Sequence, residues 1–114
     1  MLVVTQKNSE VHSLSSSCTV HEYPIGDHDI NGAVAHVHGR YPEQGFVANT
    51  EVKEMAYVIS GSGKLCFNTI EIILNTGDTV IINPGEKYYW QGDMQLFLAC
   101  TPAWYPEQHK KYQE

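Results

Sequence analysis

The chain is predicted to fold as an all-β sandwich or barrel, and three observations carry that prediction. Short runs rich in Val, Ile, Tyr and Phe recur at residues 54–60, 70–74, 79–82 and 95–101, the residue types that suit a pleated, half-buried surface. Turn chemistry separates them: Gly61-Ser62-Gly63, Asn75-Thr76-Gly77-Asp78 and Asn83-Pro84-Gly85, because Gly and Asn tolerate positive φ and Pro pre-sets a turn. Residues 33–38 alternate with period two, which puts Val34, His36 and His38 on one face and Ala33, Ala35 and Val37 on the other.

Taken in order, residues 2–5 are expected to form a short edge strand or arm, and Ser13-Leu14-Ser15-Ser16-Ser17 a loop. Residues 18–23 are β-branched enough for a strand, and Pro, Gly and two Asp make residues 24–29 a loop. The alternating strand at 33–38 ends at Gly39-Arg40-Tyr41-Pro42, and residues 45–50 lead extended into the run that begins at Glu54. Gly61-Ser62-Gly63 is expected to turn that run into residues 64–67, and Asn68-Thr69 to return the chain through 70–74. Thr79 to Ile82 is so apolar that burial on both faces is expected. Tyr88-Tyr89-Trp90 is dense in aromatics, and residues 95–101 form the last strand. In the tail, residues 102–114, Pro106 at a first helical position, Glu107 after it and Lys110 and Lys111 later suit a short C-terminal helix.

Size and composition narrow the function. At 114 residues the chain is one domain, and 42% hydrophobic with 18% charged residues is an ordinary globular balance. A formal charge of −6 without a Lys or Arg cluster argues against nucleic acid. No apolar run approaches the roughly 18–20 residues of a membrane span, and the first residues lack the basic head and long apolar stretch of a secretory signal. Cys18, Cys66 and Cys100 are odd in number and lack metal-type spacing, so reduced, buried thiols in a cytoplasmic protein are expected.

The stretch from Glu54 to Gly85 resembles the cupin family. Cupins are similar to one another in two motifs: Gly, five residues, His-x-His, three or four residues, Glu, six residues, Gly; and Gly, five residues, Pro-x-Gly, two residues, His. Here Glu54 and Gly61 stand six residues apart as required, and Gly77 and Gly85 match the second motif, with Asn83 where Pro is usual. The resemblance covers about residues 33–101 and implies a jelly-roll β-barrel with a short C-terminal helix. It also implies a homodimer, as cupins commonly pair through one sheet. The aromatic tail, with Trp104 and Tyr105, and the N-terminal arm are the expected interface.

The family's metal site does not carry over. Its paired histidines fall on Val47 and Asn49, or with the shorter spacing on Ala48 and Thr50, and its third on Tyr88. A carboxylate, an amide and a phenol are a poor set for the metals that three imidazoles and a carboxylate hold, so no cofactor is expected. Asn49, Glu54 and Tyr88 are better placed as hydrogen-bonding groups inside a barrel, with Trp90 on the face of Tyr88 as an aromatic wall. The expected function is binding of a small polar or carbohydrate-like molecule. A second possibility is a metal-independent enzyme similar to the cupin-like sugar isomerases and epimerases, with Glu54 as base and Tyr88 as acid. That pocket offers no placed histidine. A third is a metal-dependent isomerase or oxygenase that takes His36 and His38 as ligands, since these form the only His-x-His in the chain. His12, His21 and His109 are scattered and carry no signal.

Overall fold

A computed structural model describes residues 1–113. Nine strands run through them: β1 (Glu10–Ser15), β2 (Cys18–Glu22), β3 (Asn31–Tyr41), β4 (Phe46–Asn49), β5 (Lys53–Phe67), β6 (Ile70–Asn75), β7 (Thr79–Ile82), β8 (Tyr88–Thr101) and β9 (His109–Tyr112). All belong to one antiparallel sheet that curls on itself. The two longest ladders share β8. One edge of it pairs with β3 from Asn31↔Cys100 to Tyr41↔Trp90, and the other with β5 from Lys53↔Thr101 to Phe67↔Tyr88. β7 and β6 extend the sheet beyond β5, β2 and β1 beyond β3, and β4 pairs with β9. β4 meets β8 at the single pair Val47↔Tyr88.

The alternation read at residues 33–38 holds. Ala35 and Val37 are buried while His36 and His38 are exposed. With Val47, Ala56, Val58, Leu65, Met94 and Leu96 they fill the inside of the curl, which is the jelly-roll barrel expected from the two motifs.

Several elements differ from expectation, each for a local reason. Gly61-Ser62-Gly63 is not a hairpin turn, because β5 runs straight through it. Gly61 has φ 83°, and the register shifts between Val58 and Ser60, the signature of a bulge. A Cβ on Gly92 of β8 would lie 2.5 Å from Gly63 Cα. These glycines let two long strands bend together at close approach. The first strand lies at Glu10–Ser15 rather than 2–5, so part of the serine run is strand and only Ser16-Ser17 turns. This strand is exposed along nearly its whole length, so no hydrophobic alternation marks it. β7 is not buried on both faces: Ile82 points inward and Ile81 is 47% exposed. In the tail, the helix is one 3-10 turn, Pro106–Gln108, with Pro at its start as expected. Residues His109–Tyr112 are strand because they complete the otherwise bare edge of β4. Residue 114, the last of the expected tail, lies outside the described residues.

Candidate functional site

A cavity of about 120 Å³ opens inside the curl, large against the roughly 10–15 Å³ that admits one water. β3 contributes Ala33, Ala35, Val37 and Tyr41 to its wall, and β8 contributes Tyr88, Trp90, Leu96, Leu98 and Cys100. Cys18, Val20 and Glu22 reach it from β2, Glu54 from β5, and Trp104 and His109 from the tail. Period-two alternation is what turns these side chains inward.

Glu54 is the centre of the polar end. It is 5% exposed, and burial pushes its pKa up to about 7, opposed by hydrogen bonding from Cys100 and from Asn49. Cys100 Sγ donates to Glu54 Oε1 at 3.5 Å. The carboxylate also raises the pKa values of Cys18, Tyr41, Tyr88 and Cys100, in each case as a smaller effect than burial. Cys18 is pushed up to about 11. At neutral pH these thiols and phenols are therefore uncharged, and Glu54 divides between its acid and its anion.

Of the expected site residues, Glu54, Tyr88 and Trp90 come together around the cavity. Tyr88 and Trp90 are buried and meet edge to face, with ring centroids 6.3 Å apart. Tyr88 lines the cavity, and its hydroxyl has no hydrogen-bond partner among the described residues. Asn49 sits differently. It is 1% exposed, outside the cavity lining, and works from behind. Its Oδ1 lies 3.0 Å from Trp104 Nε1, 3.1 Å from Gln108 Nε2 and 2.8 Å from His109 Nδ1. Its Nδ2 stops short of a full hydrogen bond to Glu54 and has no other partner among the described residues.

His36 and His38 project from the outer face of β3, on the side opposite Ala35 and Val37, and so away from Glu54. His36 Nε2 sits 3.2 Å from Asp93 Oδ1 at the surface. Among the described residues one group of three metal-capable side chains falls together, Glu10, His12 and Glu22 on the β1–β2 hairpin, and it includes neither.

Three residues at the cavity were not read as cavity residues in the sequence. Tyr41 lies past the alternating run, at the end of the longer β3. Trp104 and His109 lie in the tail, where both line the cavity. The pocket therefore does have a placed histidine. His109 Nε2 lies 3.1 Å from the Tyr41 hydroxyl, and burial, with Lys111 nearby, depresses the ring's pKa to about 4. The signal for Trp104 was present in the cluster Trp104-Tyr105-Pro106. For His109 and Tyr41 no local pattern existed.

A curled antiparallel barrel with its pocket between β3, β5 and β8 is the cupin fold, and solved structures show it. Streptomyces Pac13, described as a nucleoside dehydratase, superimposes with a TM-score of 0.87 at 18% identity, over 97% of this chain and 90% of that one. A tyrosine-to-phenylalanine variant of it, solved with uridine, gives a TM-score of 0.88, again at 18% identity, over 97% of this chain and 89% of that one. Ectoine synthase from P. lautus matches at 12% identity with a TM-score of 0.74, over 98% and 90% of the two chains. An RmlC-like cupin from Shewanella frigidimarina matches at 14% with 0.70, over 87% and 88%. No family model matches the sequence, and no curated protein does. No helix among the described residues is long and apolar enough to cross a membrane.

Proposed function

We propose that this chain binds a small, hydroxyl-rich molecule of the nucleoside or sugar class in the barrel cavity. The observation that carries the proposal is the cavity itself. A buried carboxyl and two buried tyrosines, Tyr41 and Tyr88, line a space walled mostly by apolar side chains, with Glu22, Tyr23, Asn31 and His109 as its other polar groups. A few fixed polar groups on an apolar wall are how such ligands are oriented. That a barrel of the same shape has been solved with uridine supports the choice of class.

Proton transfer is the second reading, favoured by one observation: the Glu54 carboxyl is buried at the cavity wall, and that burial pushes its pKa up to about 7, toward the neutrality at which a general acid or base works best. Glu54 would take or give the proton, with the unpartnered Tyr88 hydroxyl as hydrogen-bond donor to the developing charge. This is the metal-independent enzyme, and the placed His109 removes one objection to it.

Both tryptophans of the chain, Trp90 and Trp104, line the cavity, so ligand entry reads out in intrinsic fluorescence. Uridine is expected to quench or shift that emission saturably. Tyr88→Phe should weaken it by about 0.5–1.5 kcal/mol, the worth of one neutral hydrogen bond. An unchanged spectrum through millimolar uridine and ribose would remove the ligand class.

We also carry a homodimer and a cytoplasmic setting. The three unpaired, buried thiols support a reducing compartment. Apolar surface that supports a dimer lies on the expected tail and arm, where Tyr105, Leu2 and Val3 are exposed, and also on the outer face of the barrel. Met55, Tyr57, Ile81 and Phe97 are each nearly half exposed there, and the registers Tyr57↔Phe97 and Met55↔Ile81 make them neighbours. Sedimentation at micromolar concentration should give about twice the 12.8 kDa chain mass. A monomer would leave this face without its partner.

A further inference from the structure

The orientation of every polar group behind the cavity follows from two anchors that can only donate. The backbone N–H groups of Glu51 and Val52 point at Gln108 Oε1, at 3.2 and 3.3 Å. That fixes the Gln108 amide and makes its NH2 the group 3.1 Å from Asn49 Oδ1. The Trp104 indole N–H, a donor without acceptor capacity, lies 3.0 Å from the same oxygen. Rotating the Asn49 amide would set an NH2 against both of these donors, so the oxygen stands where they converge.

His109 then has one possible tautomer. Its Nδ1 lies 2.8 Å from an oxygen that only accepts, so Nδ1 carries the proton. The depressed basicity of this ring keeps a second proton off, leaving Nε2 as a bare lone pair. Tyr41, whose hydroxyl is 3.1 Å from Nε2, has a single proton and gives it there. What remains on the Tyr41 oxygen is acceptor capacity.

We propose that His109 is a positioning residue that commits Tyr41 to act as a hydrogen-bond acceptor toward the cavity, so that the ligand group meeting Tyr41 must be a donor. Taken with the nucleoside or sugar class proposed above, on which this part rests, that group is a ligand hydroxyl. Tyr88 supplies the opposite character. Its hydroxyl is unpartnered and free to donate. The cavity thus presents a committed acceptor and an available donor with Glu54 in the same polar end, a pattern that discriminates a hydroxyl from an ether, a fluorine or a carbonyl.

The first measurement needs no ligand. Long-range proton–nitrogen correlation on uniformly 15N-labelled protein reads the tautomer of His109 directly, assigned by the signals that vanish in His109→Gln. The Nδ1–H form, still neutral at pH 5.5, is expected. An Nε2–H ring, or one protonated at that pH, overturns the proposal. The second uses uridine and its three fluoro analogues, each replacing one ribose hydroxyl. At one position fluorine should weaken binding at least fivefold in the parent and less than twofold in Tyr41→Phe. His109→Leu should lose the discrimination as well. His109→Gln, whose carboxamide oxygen also accepts, should restore it. A penalty that survives undiminished in Tyr41→Phe overturns the assignment. Uridine failing to bind a protein that shows the Nδ1–H tautomer would remove the nucleoside class, while the acceptor role of Tyr41 stands on the spectrum.

Discussion

The two walls of the cavity hold their side chains by different means. On the tail side, Trp104, Gln108 and His109 converge on the single oxygen of Asn49, and each polar group there has one possible orientation. On the hairpin side, Leu14, Val20 and Pro24 contribute apolar surface, the one charged side chain there, Glu22, is paired with His12 at 3.6 Å, and β1 is exposed along almost all of its length. Side chains locked by hydrogen bonds can select a ligand by the direction of its donors. Apolar contact on an edge hairpin can only exclude water and give way. Selection therefore belongs to the tail wall, and access to the hairpin wall.

The sharpest way to break this contrast is Asn49→Leu. It strands three N–H donors at once, the buried Gln108 amide among them, and at about 1–3 kcal/mol per buried unsatisfied group should cost about 3–5 kcal/mol in urea unfolding. Loss of less than about 1 kcal/mol would show that water replaces the amide and that the tail wall is not stiff.

Next in size are two opposed pH effects, one from His109 in this wall and one from Glu54 of β5. Glu54, ordinarily near 4.5, is held at about 7 when folded. The folded state therefore binds the proton more tightly, and stability falls as pH rises from about 4.5 to 7, by about 3 kcal/mol in all. His109, ordinarily near 6.5, is held at about 4. Here the unfolded state binds the proton more tightly, so stability falls as pH drops from about 6.5 to 4, by about 2–3 kcal/mol given its partial exposure. Between about pH 4.5 and 6.5 the two slopes cancel in the parent chain. Glu54→Gln should unmask the loss toward acid, and His109→Gln the loss toward neutrality. Parallel stability–pH curves for the parent and both variants would contradict the burial of these groups.

The hairpin wall should respond least. Leu14 lines the cavity while 37% exposed, so Leu14→Ala should cost about 1 kcal/mol or less in the same unfolding assay. It should leave the ranking of uridine against its fluoro analogues unchanged. A changed ranking would move selection across to the hairpin.

The same division explains what was legible in the sequence. Glu54, Tyr88 and Trp90 were readable because strand alternation is local, and the motif spacing to Gly61 and Gly85 fixed the register. His109 and Tyr41 were not, since they meet only when β9 pairs with β4, across a separation in sequence that no periodicity spans. Asn49 was placed in the site by motif register, yet its role depends on the tail folding back behind it. Gly61-Ser62-Gly63 was misleading for a different physical reason. Glycine serves a reversal and a close crossing of two continuous strands equally well, and only the partner strand, with Gly92, distinguishes them. Ile81 likewise read as core, because an apolar residue on an outer sheet face looks the same in sequence as one inside.

β8 has a consequence for how the chain must be built. It is the middle of the sheet but nearly the last strand in order, and both β3 and β5 find their longest partner in residues 88–101. A growing chain that has reached β7 can close the local hairpins, β1 with β2 and β5 with β6, but has no barrel to close. Because the contacts that complete the barrel are distant in sequence, folding is expected on the slow side for its size. During synthesis, the unpaired edges of β3 and β5 wait open until β8 emerges between them.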